Sequence, residues 1–459
     1  MLIANITSRN SNAESFFTAN RQSPWFLVAF GMIGASLSGV TFISVPGEVG
    51  NSQWSYFQVV IGYILGYAVI ALVLLPLYYR LNLVSIYQYL GQRFGKNSYK
   101  VGAVFFLISR VIGASFRLFL VAGVLQIAFF DAFNIPFWFS VLITIALIWL
   151  YTFKGGIKTI VWTDTLQTFF MLSAVVISIY FIGSELNMDI GQMISTVWES
   201  SSSTIFNWNW NEPGNFFKQF IAGAFIAIVM TGLDQDMMQK NLTCKSLSDA
   251  QKNIFWFTIV LVFVNILFLS LGVLLFHFAE VNGLSVPERT DNLYPFLAIN
   301  HFNIAGGVVF LLGITAAAYS SADSALTALT TSFYIDFLEE DPNQGSRKRR
   351  IATHIGFSLL IFIVILIFEA INNESVINSV MRVAGYTYGP LLGLFSFGIF
   401  TKYEIKDRLA TVICVLSPIL TYLIQLYSKD LLFGYQFGFE LLLVNGFITF
   451  IGLWLLRKR

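Results

Sequence analysis

The chain has 459 residues, of which 56% are hydrophobic and only 11% charged, with a mean hydropathy of +0.71. Soluble domains carry about 25% charged residues, so this composition excludes a water-soluble fold. A net charge of +2 leaves no basic footprint for a nucleic acid.

Spanning the hydrocarbon takes about 20 mostly apolar residues as a helix, and such stretches run almost end to end here. Continuous runs at 59–77, 254–275 and 355–368 read as helices, because a helix satisfies its own backbone in lipid. The ten-residue alternation of a membrane barrel is not visible. The fold class is therefore an all-α integral membrane protein. Apolar runs set against turn signals predict twelve transmembrane helices near 24–46, 54–79, 101–130, 134–153, 160–183, 215–239, 253–279, 303–337, 351–371, 375–401, 409–427 and 433–456.

The first of these contains Gly31, Gly34, Ala35, Ser36, Ser38, Gly39 and Thr41, followed by Pro46 and Gly47. Glycines alone would indicate close helix packing. Three hydroxyls add a second reading, in which the helix breaks and frees carbonyls such as those of Gly34 and Leu37. Interrupted helices build midplane ion sites in this way. The segment 82–100 reads as a short amphipathic stretch on the inner surface, with Ile86, Tyr89, Leu90 and Phe94 on its apolar side. Arg110 and Arg117 lie seven residues apart on one face of the third helix. One pairs with a membrane carboxylate, or one, Arg117 in particular, meets an anionic substrate, since a guanidinium fork fits a carboxylate.

A glycine-rich loop at Gly155 and Gly156 runs into a helix that carries Asp164. Ionisable residues within membranes mark pathways, which favours an ion path or second cation site over a helix cap. The polar outer segment 185–214, with Trp198, Trp208 and Trp210, suits an interfacial cap. Asp234 and Asp236 read as a helix-end charge patch above a basic loop. In 316–327, Ala317, Ser320, Ser321, Ser324 and Thr327 share one side of a helix, with Asp323 at its edge. Such a ladder of oxygens suits a small hard cation. Return of each hydroxyl to the carbonyl of the preceding turn is the competing reading, and it does not explain the carboxylate.

Cys244 and Cys414 have no paired spacing, and His277, His301 and His354 no ligand spacing, so neither disulfide nor transition-metal chemistry is expected. With the N-terminus inside, almost all Lys and Arg residues fall in inner segments, while the outer loops keep little more than Arg289 and Lys429. The positive-inside rule thus supports the helix count and predicts cytoplasmic termini and a cytoplasmic-membrane location.

Four stretches together resemble the sodium/solute symporters over nearly the whole chain: 155–167 (GGIKTIVWTDTLQ), Asp234-Gln235-Asp236 through Lys240, the block 320–324 leading to Asp336, and 87–95 (YQYLGQRFG). The resemblance implies a LeuT-type fold of two inverted five-helix repeats, 24–183 and 215–401, with two further C-terminal helices in 402–459 and alternating access around a midplane site. It implies a sodium ion held by the carbonyls of Gly34, Leu37 and Ala317 and the hydroxyls of Ser320 and Ser321. A second sodium or ion path would use Asp164 with Ser320, Asp323 and Ser324. The substrate would touch Ser36, Ser38, Thr41, Gln58 and Thr231. The family's usual first helix is missing before 13–25, and a signal peptide does not fit the start. Thr41 and Thr231 also stand where the glucose branch has larger side chains.

These residues predict sodium-coupled symport of a small polar organic solute, with sodium as the coupling ion and a lean towards an anion. The bilayer is the expected surrounding, with neither nucleic acid nor an obligate protein partner. Proton coupling through Asp164 or Asp323 is the nearest alternative. A receptor or membrane enzyme is the rival from another class, and no catalytic constellation supports one.

Overall fold

A computed structural model describes residues 19–152, 157–340, 346–371, 375–432 and 434–458. The expectations for the chain start and for the Gly155–Gly156 loop lie outside these residues. Among the described residues every extended element is a helix, and β structure is limited to isolated bridges such as Ser23 with Cys244.

The expected first span is two helices, α1 (Trp25–Ser36) and α2 (Gly39–Ser52). Leu37 (φ −82°, ψ 74°) and Ser38 (φ −78°, ψ −178°) leave helical geometry between them. Next come α3 (Tyr56–Val69), a π-helical turn at Ile70–Leu74, and α4 (Leu75–Arg80). A short helix α5 (Gln88–Arg93) leads to α6 (Lys96–Leu125), α7 (Phe137–Thr152) and α8 (Ile157–Glu185). Helix α9 (Ile190–Glu199) lies in the segment 185–214 and opens on a capping box between Asp189 and Gln192. Its Ile190, Ile194 and Trp198 are exposed along one side, as an interfacial helix requires.

The second half begins with α10 (Phe216–Ala227), a π-helical turn at Ile228–Gly232, and α11 (Gln235–Asn241), bent by 71° from what precedes it. Then follow α12 (Leu247–Val281), α13 (Leu293–Asn300), α14 (Ile304–Ser332) and α15 (Arg347–Ile371). Helices α16 (Val376–Thr387) and α17 (Gly389–Phe400) meet at 47°, and α18 (Asp407–Leu426) and α19 (Leu441–Leu455) close the chain. Three of the expected continuous helices, 24–46, 215–239 and 375–401, are therefore broken. Hydropathy cannot register such a break, because both halves stay apolar.

Seven helices among the described residues are long and apolar enough to cross a membrane, or nine if each bent pair counts as one span. Trp25–Ser36, Phe137–Trp149 and Leu441–Leu455 are apolar but shorter. Length and composition thus support a multi-pass membrane protein without reaching the count of twelve.

Small residues set how closely the helices approach. Gly62 of α3 and Gly223 of α10 each lie against the other helix's backbone, where a side chain would strike the carbonyls of Phe220 and Val59. With lipid outside as apolar as the side chains inside, such close packing holds the bundle together. The stretch 82–100 departs from its expected role. Ile86, Tyr89 and Leu90 are buried within the protein, and the rings of Tyr89 and Phe94 pack on Phe395 and Phe397 of α17. Its apolar side faces the bundle rather than a lipid surface.

Candidate functional site

The break in the first span is the starting point. The Leu37 amide closes on the Ile33 carbonyl at 2.7 Å, and the Phe42 amide on Ser38 at 3.0 Å. Among the described residues, no amide bond from Ser38 reaches Gly34 and none from Thr41 reaches Leu37. The carbonyls of Gly34 and Leu37 therefore lack the amides that a continuous helix would supply.

Helix α14 brings its oxygens to this break. A methyl group added at Gly34 would lie 3.3 Å from Ser320 Oγ and 3.2 Å from the Asp164 carbonyl, and would collide with Thr168 Oγ1. Glycine is the residue that permits this approach, because it leaves the α1 backbone bare. Leu37, Ala317, Ser320 and Ser321 are all buried. Among the described residues the Ser321 hydroxyl has no hydrogen-bond partner, which is costly for a buried polar atom unless a ligand completes it. Freed carbonyls beside an unpartnered hydroxyl fit a small cation bound through oxygen.

The second expected ion position is arranged differently. Asp164 on α8 is buried, its Oδ1 accepting from Ser320 Oγ at 2.9 Å and its Oδ2 from Lys240 Nζ at 2.8 Å. Lys240, at the end of α11, is itself buried and stands 4.0 Å from Asp236 Oδ1. Asp323 Oδ1 accepts from the Ser324 amide at 2.5 Å, while the buried Ser324 hydroxyl has no partner.

Asp234 and Asp236 are not a surface patch. Both are buried at the second break, where Asp236 pairs with Arg110 and Asp234 Oδ2 stands 3.9 Å from the same guanidinium. Asp234 also caps α11, accepting from the Asp236 and Met237 amides at 3.0 and 3.3 Å, and accepts from the Tyr388 hydroxyl at 2.7 Å. The membrane carboxylate expected for one of the two arginines is thus that of Asp236, and the arginine is Arg110.

Beside the first break lies a cavity of about 90 Å³. Ser36, Ser38 and Thr41 line it from the broken span and Thr231 from the π-helical turn after α10. Arg110 and Arg117 enter it from α6. The ion pairs of this region go to Arg110; among the described residues no carboxylate pairs with Arg117. Gln58 is absent from the lining. Its amide donates to the Ser55 and Gly214 carbonyls at 3.2 and 2.9 Å and its oxygen accepts from the Asn207 amide at 3.3 Å, so it ties the outer segment to α3. In that placement it serves as a loop anchor. Tyr56, Tyr63, Tyr67, Asn265, Val380 and Met381 also line the cavity and were not foreseen. An aromatic or amide in an apolar run carries little signal of which way it faces, although Tyr56, Tyr63 and Tyr67 have the spacing of one helix face.

A second and larger cavity of about 510 Å³, lined by Glu48, Asn51, Arg289, Asn378 and Arg382 among others, shares Tyr56 and Met381 with the first. These two side chains separate a wide vestibule from the small central chamber. Among the described residues no three His, Cys, Asp or Glu side chains gather as a metal cluster.

Helices broken around a polar chamber within an apolar bundle define a secondary transporter. The chain belongs to the sodium:solute symporter family, whose model matches residues 16–406. It is 26% identical to the sodium/sialic acid symporter NanT of Aliivibrio fischeri, over 96% of this chain and 88% of that one. It is 23% identical to the human sodium/iodide cotransporter, over 85% of this chain and 61% of that one. The fold matches a substrate-bound outward-open Na+-coupled sialic acid symporter with a TM-score of 0.82 at 21% identity, covering 100% of this chain and 96% of the other. It also matches the nucleobase-cation symporter Mhp1 with a TM-score of 0.58 at 13% identity, covering 98% and 96%. The fold is of the LeuT type, and the activity is sodium-coupled symport by alternating access, with sodium as the coupling ion.

Proposed function

We propose that this symporter carries a small anionic solute into the cell with sodium, and that Arg117 receives the anion. The observation that carries the reading is an arginine lining the central cavity with no carboxylate partner among the described residues, beside Ser36, Ser38, Thr41 and Thr231. A guanidinium facing a low-dielectric chamber favours an anionic guest, and the surrounding hydroxyls can meet its polar groups. Relatives named for sialic acid, iodide and monocarboxylates all carry anions, which agrees with this choice.

Sodium would lie between the Gly34, Leu37 and Ala317 carbonyls and the Ser320 and Ser321 hydroxyls. There it would hold the broken span against α14, one turn from the cavity residues Ser36 and Ser38. Each ligand then raises the affinity of the other by the same factor. The two breaks fall in the first span of each proposed half, 24–183 and 215–401, as an inverted repeat requires, with the last two helices outside it. With twelve spans and both termini in the cytoplasm, as the distribution of basic residues favours, the vestibule would lie on the outer side and the Arg110 and Lys240 ion pairs on the inner side. The conformation described is then outward-facing, closed within by buried charge.

A thermal-shift screen of the purified protein in sodium against potassium, over a library of carboxylic acids, tests the reading, because a ligand of the folded state raises its stability. Sodium is expected to stabilise alone, and an anion to add to it. In Arg117→Lys the anion's contribution falls by about 1.5–3 kcal/mol, the worth of a charged hydrogen bond, while the sodium contribution stays. An anion shift that survives the substitution removes Arg117 from the site.

A further inference from the structure

The Asp164 carboxylate is the residue on which a second sodium ion would depend, and its surroundings already contain a cation. Lys240 Nζ is 2.8 Å from Oδ2, Ser320 Oγ occupies Oδ1 at 2.9 Å, and both charged side chains are essentially sealed, at 1% exposure or less. A lysine of this length would normally extend its ammonium to water. Here it cannot, because α11 is held at both ends. Asp234 caps its start, and at its far end the Tyr79 hydroxyl donates to the Asn241 carbonyl at 3.0 Å, the Ser23 amide to Thr243 at 3.0 Å, and Asn253 to Asn241 at 2.7 Å. The 71° bend that precedes α11 aims the ammonium at α8.

We propose that Lys240 is a built-in cation that takes the place of the second sodium ion at Asp164, so that one sodium ion, at the break in the first span, is coupled per cycle. The inference rests on the sodium site proposed above and adds the ion count to it. A buried carboxylate needs one compensating charge, and a sodium ion placed against Asp164 would stand a few ångströms from an ammonium of the same sign. The unpartnered Ser324 hydroxyl, one turn along α14 from Ser320, marks where the missing shell would lie. The site is latent: two buried carboxylates, Asp164 and Asp323, and two hydroxyls are present, and a lysine fills the charge position against Asp164. Ser320 touches both places, since its hydroxyl donates to Asp164 while its side chain lies against Gly34. The tethered ammonium thereby fixes the orientation of a sodium ligand.

The test counts sodium ions on the purified full-length protein with radioactive sodium alone, together with the slope of thermal stability against sodium concentration. The wild type is expected to bind one ion with a hyperbolic isotherm. Lys240→Gln, which leaves Asp164 uncompensated, is expected to bind two with a Hill coefficient rising towards 2. Lys240→Arg restores the fixed charge and returns the count to one. Adding Ser324→Ala to Lys240→Gln takes a hydroxyl from the opened site and is expected to weaken the second ion by about tenfold, the change that 1.4 kcal/mol represents, while the first ion stays. Two ions on the wild type, one ion on folded Lys240→Gln, or a second ion in Lys240→Gln that ignores the added Ser324→Ala each overturns the tethered-cation assignment while leaving sodium coupling intact. A wild type that binds no sodium overturns the functional reading itself.

Discussion

Two of the three helix breaks of this transporter, those at Leu37–Ser38 and Leu233–Asp234, have opposite chemistries. At Leu37–Ser38 the backbone is left open: the carbonyls of Gly34 and Leu37 lose their amides, and the nearby Ser321 hydroxyl has no partner. At Leu233–Asp234 the carbonyls of Gly232 and Leu233 and the amides of Asp236 and Met237 are taken up by side chains of the protein. The Tyr78 hydroxyl donates to the Gly232 carbonyl at 2.8 Å and the Tyr87 hydroxyl to Leu233 at 2.9 Å, while Asp234 accepts the amides that open α11. Gln235 adds a clasp, accepting from the Ile86 amide at 2.9 Å and donating to the Val84 carbonyl at 2.8 Å. A broken helix is thus not by itself a ligand site. It becomes one where the protein withholds partners, and a latch where it supplies them.

The contrast can be broken most forcefully at the latch. Asp234→Ala removes a helix cap and a buried partner of Arg110 and Tyr388, and is expected to cost about 3–5 kcal/mol, the usual price of breaking a buried pair. Thermal unfolding in detergent measures it. Sodium affinity per folded molecule should change far less than stability.

At the open break the order reverses. Gly34→Val forces a side chain against Thr168 and Ser320, and overpacking of about 1–3 kcal/mol is expected to fall on the sodium-bound arrangement, a loss of about 10- to 100-fold in sodium affinity. Ser321→Ala sharpens the comparison because it removes an oxygen without adding bulk. Sodium affinity is expected to fall by about tenfold, with stability in potassium kept or raised, since an unpartnered buried hydroxyl costs the ion-free fold its desolvation. Loss of stability in potassium would show that the hydroxyl has a structural partner. The smallest effect belongs to Tyr87→Phe, which removes one neutral hydrogen bond to the Leu233 carbonyl, worth about 0.5–1.5 kcal/mol and eased by local relaxation. Faster hydrogen exchange confined to 228–241 is the expected signature. An effect at 34–38 instead would mean that the two breaks are not separate devices.

Much of the open break was legible in the sequence. Three hydroxyls among four small residues in an apolar run announce a place where the backbone is accessible, and Ser320 with Ser321 in a polar helix announce its partner. These signals are local, lying within one or two turns of chain. The latch was not legible in the same way. Asp234, Asp236 and Lys240 are adjacent in sequence and look like the charged end of a helix. Their burial depends on a bend whose cause is distributed over Tyr78, Tyr87, Tyr388 and Arg110, none of them near in the chain. The partners of Gln58 were hidden for the same reason: a lone amide in an apolar helix shows that it needs partners, not that they include the loop at Asn207 and Gly214.

Hydropathy, the placement of basic residues and the clusters of small and hydroxyl side chains were enough, with no coordinates, to establish a helical membrane protein and to mark where a cation could be stripped of water. Those properties belong to single helices and to the solvent that each must face. Which charges compensate which was decided only by the tertiary structure: Asp164 and Lys240 stand 76 positions apart and meet because α11 turns back towards α8. Electrostatic pairing acts through space rather than along the chain, and in a low-dielectric interior it decides whether a carboxylate awaits an ion or already has one.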